Sequence, residues 1–444
     1  MDALWLSRLQ FALTAGFHFI YPPVTIGLAW LIFWFMTKYK STGDDQFKRL
    51  ARFWIRIFAL SFAVGVATGI TLEFQFGTNW AQYSRYVGDI FGAPLAAEGV
   101  FSFFLESTFL AVLVLGWNRV SVRVHWFASL MVAVGATLSA FWIIVANSWQ
   151  QTPTGYHLAN GRAELTSFWA AVFNPSLLVR YLHTVDGALI TGSFFMMGIS
   201  AWYLLKGRHT ELVQRSLKTA LTVAFVASVL ELGLGDAHGK QIARYQPAKL
   251  AAMEAVFKTQ KGAPEILIGI PDEKARTVHA AIQVPGLLSL MAFGRADAEV
   301  KGLDAYSEKD WPPVAICFFA FRAMLGLGMW FIALSAFGVL LLLFGRAYTN
   351  RLFLALAVLT IPLPFLANEF GWITAEVGRQ PWIVYNLLRT SEGYSATVPA
   401  VQVLFSIVMF SLIYALLFAA WIFLLRKEIG RGPEADTKAK EGQA

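Results

Sequence analysis

A single cysteine, Cys317, occurs in 444 residues. One thiol excludes any disulfide within the chain, and no CxxCH run is present for covalent attachment of haem. Charged residues are scarce as well, 14% against 57% hydrophobic, and mean hydropathy is +0.55. This balance excludes a soluble domain and specifies a polytopic membrane protein. No cleavable signal pattern is expected, because Met1 to Trp5 lead straight into an apolar run. The formal net charge of +8 points to basic loops on an anionic leaflet rather than to nucleic acid.

Aromatic residues are what the chain has in quantity, with 38 Phe and 16 Trp. They anchor helices at membrane interfaces and pack against large planar ligands. Nine apolar runs are long enough to cross the hydrocarbon, near 11–36, 53–76, 95–116, 126–148, 178–205, 217–235, 314–343, 352–371 and 398–425. The predicted fold is all-α, a polytopic membrane protein of about nine transmembrane helices. Outside the long segment 236–313, which is exempt from the count, most Lys and Arg lie after the first, third, fifth and seventh runs and in the C-terminal tail, among them Lys38, Arg49, Arg123, Arg208, Arg346 and Arg426. The positive-inside rule then puts the N-terminus outside and the C-terminus in the cytoplasm. The chain divides into six spans over 1–235, an outer segment over 236–313, three spans over 314–428, and a polar tail over 429–444 expected to lack fixed structure.

Ionisable residues inside the spans carry the functional signal. His18 sits between Phe17 and Phe19, just ahead of Tyr21-Pro22-Pro23, which distorts the helix. Taken alone, a buried His packs more often than it ligates. Glu98 lies near the outer end of the third run, and Glu106 about 12 Å deeper. A carboxylate at that depth must be protonated, paired or on a water-filled path. No intramembrane Lys is at hand to pair with it, which favours a proton route. Asn147 belongs to a polar cluster over 146–151. His183 is a second buried imidazole, followed by Thr191-Gly192-Ser193, small residues that admit a close helix or a flat ligand. Met324 by itself reads as packing, but Arg322 needs an anion inside the hydrocarbon, and a haem propionate would serve. The stretch 371–382, GWITAEVGRQPW, sets Glu376 and Arg379 between Trp372 and Trp382, with Gly378 and Pro381 breaking the helix. Lys249 and Glu254 lie in a short amphipathic part of the outer segment.

Two imidazoles, a thioether and an isolated carboxylate in the outer half of the bilayer suit haem iron better than zinc. His183 with Met324 would cap both faces of an iron, which suits electron transfer. His18 and Glu376 have no evident second axial partner, and an open face suits oxygen binding. Two other readings compete: ion transport through the same buried Glu and His residues, and a di-haem electron carrier without oxygen chemistry.

Over almost its whole length the chain resembles subunit I of cytochrome bd-type quinol oxidases, of the short outer-loop type. The resemblance rests on FHFIYPP from Phe17, on EGVFSFFLES with Glu98 and Glu106, and on GDAHG, QPAKLAAMEA, FRAMLGLG and GWITAEVGRQPW. It implies three haems: a low-spin haem b, a high-spin haem b, and a d-type chlorin that some members lack. His183 and Met324 match the axial ligands of the low-spin haem, and Arg322 its charge partner. His18 and Glu376 match the ligands of the two oxygen-side haems, in an order that differs between members. Lys249 and Glu254 match the quinol-oxidising loop. Asn147, Glu98, Glu106, Trp372 and Arg379 match residues around the haems and the proton path. The resemblance also implies a bacterial cytoplasmic membrane, a second large membrane subunit and small single-helix accessory subunits. Quinol would be oxidised outside and oxygen reduced to water with protons from the cytoplasm, generating proton motive force.

Overall fold

In the computed structural model, which describes residues 2–433, the first apolar run is two helices. α1 (Ala3–Phe19) and α2 (Tyr21–Thr42) join at Ile20, where Pro22 and Pro23 open the second helix. Proline is tolerated there because the first-turn N–H groups have no intrahelical acceptor. α3 (Asp45–Thr78) follows, capped by the Asp44 carboxylate on the Gln46 amide. α4 (Ala81–Ala97) runs through Pro94 into a π-helical stretch, Glu98–Phe103, and on into α5 (Phe104–Leu115). Trp80 and Tyr83 form a buried start to this span.

α6 (Val122–Gln151) leads to a small hairpin, β1 (Tyr156–Ala159) with β2 (Arg162–Leu165), and to α7 (Phe168–Val172). α8 (Leu177–Leu205) is the most buried long helix and packs chiefly on α9 (Thr210–Tyr245) and α2. α9 does not stop near residue 235. Its helix continues through GDAHG to Tyr245, because nothing before Pro247 withdraws a backbone donor. α10 (Pro247–Met253) follows. The 258–312 region contains β3 (Gln260–Lys261), the hairpin β4 (Glu265–Asp272) with β5 (Thr277–Val284), α11 (Leu287–Phe293) and β6 (Glu299–Val300), which pairs with β3.

α12 (Val314–Leu343) crosses next. The eighth run is a broken span, α13 (Arg351–Leu359) and α14 (Leu363–Val377), bent by 41° where Pro362 and Pro364 interrupt it. The short pair β7 (Trp382–Val384) and β8 (Leu388–Arg389) and α15 (Thr390–Gly393) follow. α16 (Ala400–Arg431) closes the described chain and takes in the first residues of the expected tail; 434–444 lie outside the described residues. Among the described residues, eight helices meet the length and hydropathy of a membrane span, nine with the bent pair.

The core lies where α2, α3, α8 and α9 meet, around Tyr21, Phe35, Trp54, Phe194 and Leu221. Glycine sets the α2–α8 distance. A Cβ at Gly192 would lie 2.6 Å from the Gly27 carbonyl carbon, and one at Gly27 only 2.3 Å from the Ala188 oxygen. The small residues after His183 therefore admit a helix. Gly192→Leu should force α2 and α8 apart at a cost of about 1–3 kcal/mol or more. The check is thermal unfolding of the detergent-solubilised protein, which should show a clearly lowered midpoint.

Candidate functional site

One cavity of about 1590 Å³ runs through the bundle, larger than the ~300–1,000 Å³ of a single-ligand pocket. His18, His183, Met324, Glu376, Glu98, Glu106, Asn147, Trp372, Arg379 and Glu254 all line it. The residues singled out in the sequence are thus gathered from seven helices and the adjoining segments onto one space. Lys249 is buried just behind the lining.

The two lining histidines with expected ligand roles are held in the same way. His18 Nδ1 is 3.0 Å from Thr68 Oγ1, and the Gly69 backbone comes so close that a Cβ there would sit 3.1 Å from His18 Cε1. His183 Nδ1 is 2.9 Å from Glu231 Oε1, although off the line of a hydrogen bond. A partner on Nδ1 fixes the ring and leaves Nε2 for ligation. Met324 presents its sulfur to α14, where a Cβ on Gly371 would be 3.0 Å away.

Glu376 is the centre of a denser network. Asn147 Nδ2 donates to its Oε1 at 2.8 Å and Gln151 Nε2 at 3.3 Å, and Arg379 pairs with its Oε2 one turn on. Arg379 Nη1 also donates to Gln150 Oε1 at 2.8 Å, and Gln150 Nε2 donates to the Tyr83 hydroxyl. Gln151 Oε1 accepts from Lys249 Nζ at 2.6 Å and from Gln246 Nε2 at 2.8 Å. Lys249 is therefore not on a solvated loop: it is 1% exposed, and burial, then the Arg180 charge, hold its pKa well below the usual value.

Lys249 and Glu254 point to different partners. Glu254 pairs with Arg322, which also meets Glu265 Oε1 at 3.0 Å and donates from Nε to the Ile266 carbonyl at 2.6 Å. These two carboxylates supply an anion for Arg322, while its Nη1 is buried with no partner among the described residues. Burial pushes the Glu254 carboxyl up to about 8; Arg322 pulls against this and Glu265 adds to it. Glu265 is raised mainly by burial, but its bond from Glu254 acts the other way. The shared proton therefore rests on Glu254.

Glu106 is 6% exposed and lies against Gly135 of α6, where a Cβ would be 3.0 Å from its own Cβ. Glu98 accepts from Ser139 Oγ at 2.7 Å. Eight residues on a regular helix leave two side chains roughly 80° apart. The intervening π turns take more residues per turn, which turns Glu98 and Glu106 toward one face and one cavity.

These donors fit haem. Each histidine keeps one nitrogen for iron, and a thioether and a carboxylate lie on the same space. Among the described residues no three His, Cys, Asp or Glu converge as a ligand set for a bare ion. Sequence reasoning did not reach Glu231, Glu265, Thr68 or Ser139 as partners. They become visible only when helices far apart in the chain are brought together. Gln150 and Gln151 were within the polar cluster already noted.

Fold and site together define a multi-pass membrane redox subunit with a cavity for large planar iron groups. The chain belongs to the cytochrome bd terminal oxidase subunit I family, whose model matches residues 6–433. It is 39% identical to cytochrome bd ubiquinol oxidase subunit 1 of Bacillus subtilis (strain 168), over 98% of this chain and 95% of that one. It is 36% identical to cytochrome bd-II ubiquinol oxidase subunit 1 of Escherichia coli (strain K12), over 98% of each. Among solved structures it is similar to bd oxidase from Geobacillus thermodenitrificans, with a TM-score of 0.90 and 32% identity over 97% of this chain and 99% of that one. The family binds haems, and its activity is that of a respiratory quinol:oxygen oxidoreductase.

The Arg322 cluster predicts its own energetics. Arg322→Leu strands two buried carboxylates and should cost about 3–5 kcal/mol. Adding Glu254→Gln and Glu265→Gln should recover most of that loss. Thermal unfolding of the single and triple variants makes the comparison; equal losses in both would contradict the reading.

Proposed function

We propose that this subunit oxidises membrane quinol at the end of the bundle formed by α10 and the 254–313 region, and reduces oxygen to water in the cavity. The observation that carries the reading is the convergence of His18, His183, Met324 and Glu376 on one apolar space. His183 and Met324 would hold a low-spin haem b, and His18 and Glu376 a high-spin haem b and a haem d. Bound there, haem would supply one-electron transfer between quinol and oxygen.

The protein's own groups bind substrate and move protons. Lys249 lies within α10 and Glu254 caps its end, with Lys249 tied through Gln151 to Glu376 and Glu254 tied to Arg322 beside Met324. Quinol oxidation releases protons, and an ionised Glu254 can accept one. Glu106, then Glu98, would pass protons from the cytoplasmic side toward oxygen, and Ser139 orients Glu98. Asn147 and Arg379 hold Glu376 in place, and Trp372 fills the lining between them and Met324's helix. With the N-terminus outside and the C-terminus in the cytoplasm of a bacterial inner membrane, such a reaction separates charge without a pump. The apolar face of α16, with Val401, Phe405, Leu412 and Leu416 exposed, supports burial against lipid and a second large subunit, with room for single-helix accessory subunits.

Met324→Leu is close to volume-conserving and should cost less than about 1.5 kcal/mol in packing. It should nevertheless remove the low-spin b signature from the reduced-minus-oxidised spectrum. An unchanged signature would show that Met324 only packs.

Glu106→Gln keeps shape and hydrogen bonding but cannot release a proton. Stopped-flow oxygen reduction with a pH-indicator dye should show slowed proton uptake and normal oxygen binding. Wild-type proton uptake would leave Glu106 a buried structural acid.

The proton on Glu254 sets a pH dependence. Quinol-driven oxygen uptake should rise with pH as Glu254 ionises near 8. Glu265→Gln removes the neighbouring carboxylate that raises Glu254, so the rising limb should move to lower pH. A limb that stays put or moves higher would rule out Glu254 as the acceptor.

A further inference from the structure

Arg180 stands one turn ahead of His183 on α8 and is 5% exposed. It lines the cavity, and its Nε and Nη2 meet no acceptor among the described residues. His238 lines the same cavity from α9, with Nε2 buried and unbonded and its ring 5.3 Å from that of His183. The carboxylate that acts on Arg180 is Glu376, which already serves Arg379, Asn147 and Gln151. Asp186, the acid on α8 itself, is engaged with Glu231. Two guanidiniums thus share one carboxylate inside an apolar bundle. A buried guanidinium without an acceptor is strongly disfavoured unless an anion completes it.

We propose that Arg180, with His238 beside it, binds a carboxylate of a cofactor in this cavity, a haem propionate. The inference rests on the haem reading above. Unlike Arg180, Arg322 already pairs with two carboxylates, Glu254 and Glu265. The chemistry is that of a guanidinium, whose paired N–H donors match the two oxygens of a carboxylate. Arg180 and His183 are three residues apart on one helix face, so the same turn that offers an imidazole to iron offers a cation to the edge of the macrocycle. A cation at that edge favours the reduced haem, which carries one positive charge fewer.

The test uses the purified oxidase complex carrying Arg180→Gln or Arg180→Lys, with haem carboxyls labelled by ¹³C through a labelled precursor. Haem content, spectroelectrochemical midpoint potentials and redox-difference infrared spectra are read together. Arg180→Gln should make one b haem about tenfold harder to reduce, about 59 mV for one electron, and shift a ¹³C-sensitive carboxylate band. Arg180→Lys should restore most of both. Haem content equal to wild type with unmoved potential and band would overturn the assignment while leaving the oxidase reading intact. Wild-type complex without haem would instead overturn the reading on which it rests. If Arg180→Gln does not assemble, His238→Gln decides: a moved band supports the carboxylate site, and an unmoved one rejects it.

Discussion

The pairing of Glu376 with Arg379 is the interaction on which the site depends. In an apolar bundle neither charge is tolerable alone. Together they are bonded by Asn147, Gln150 and Gln151 from the last turns of α6. Gln151 then reaches Lys249 and Gln246. One charge pair therefore fastens the end of α14 to α6, and α6 to α10 through Lys249. Close packing reinforces it: a Cβ on Gly378 would lie 2.8 Å from Lys249 Cγ. The helix end, the cavity wall and α10 are positioned as one unit.

A second polar knot, Arg322 with Glu254 and Glu265, fastens α12 to the β4 strand by the same logic. The two knots leave Lys249 and Glu254 facing opposite ways from neighbouring positions in the chain. Lys249 is held by Gln151 on the side of Glu376, and Glu254 by Arg322 on the side of Met324.

Much of this was legible in the sequence. Apolar runs of spanning length marked every membrane helix, because hydrocarbon thickness leaves little latitude. His18, His183, Met324 and Glu376 stood out because an ionisable or ligating side chain in such a run is costly without a purpose. Their gathering on one cavity follows from the packing. The break at Ile20 was readable from Pro22 and Pro23. The extension of α9 through GDAHG was not, since two glycines suggested a loop and tertiary packing overrode their weak propensity. The π turns at Glu98 left no mark in composition. The partners of Arg322 were hidden because Glu265 is 57 residues away in the chain, on a strand that the polar character of its region concealed.

The central claim is that the cavity lined by His18, His183, Met324 and Glu376 is a haem chamber working in quinol-driven oxygen reduction. The most direct test is a visible reduced-minus-oxidised spectrum of the purified complex, quantified by pyridine haemochrome, alongside oxygen uptake with added quinol. The account predicts more than one non-covalent haem per complex, including a low-spin b signature, and quinol-dependent oxygen consumption. Purified, folded complex with no haem absorbance and no oxygen uptake would contradict it.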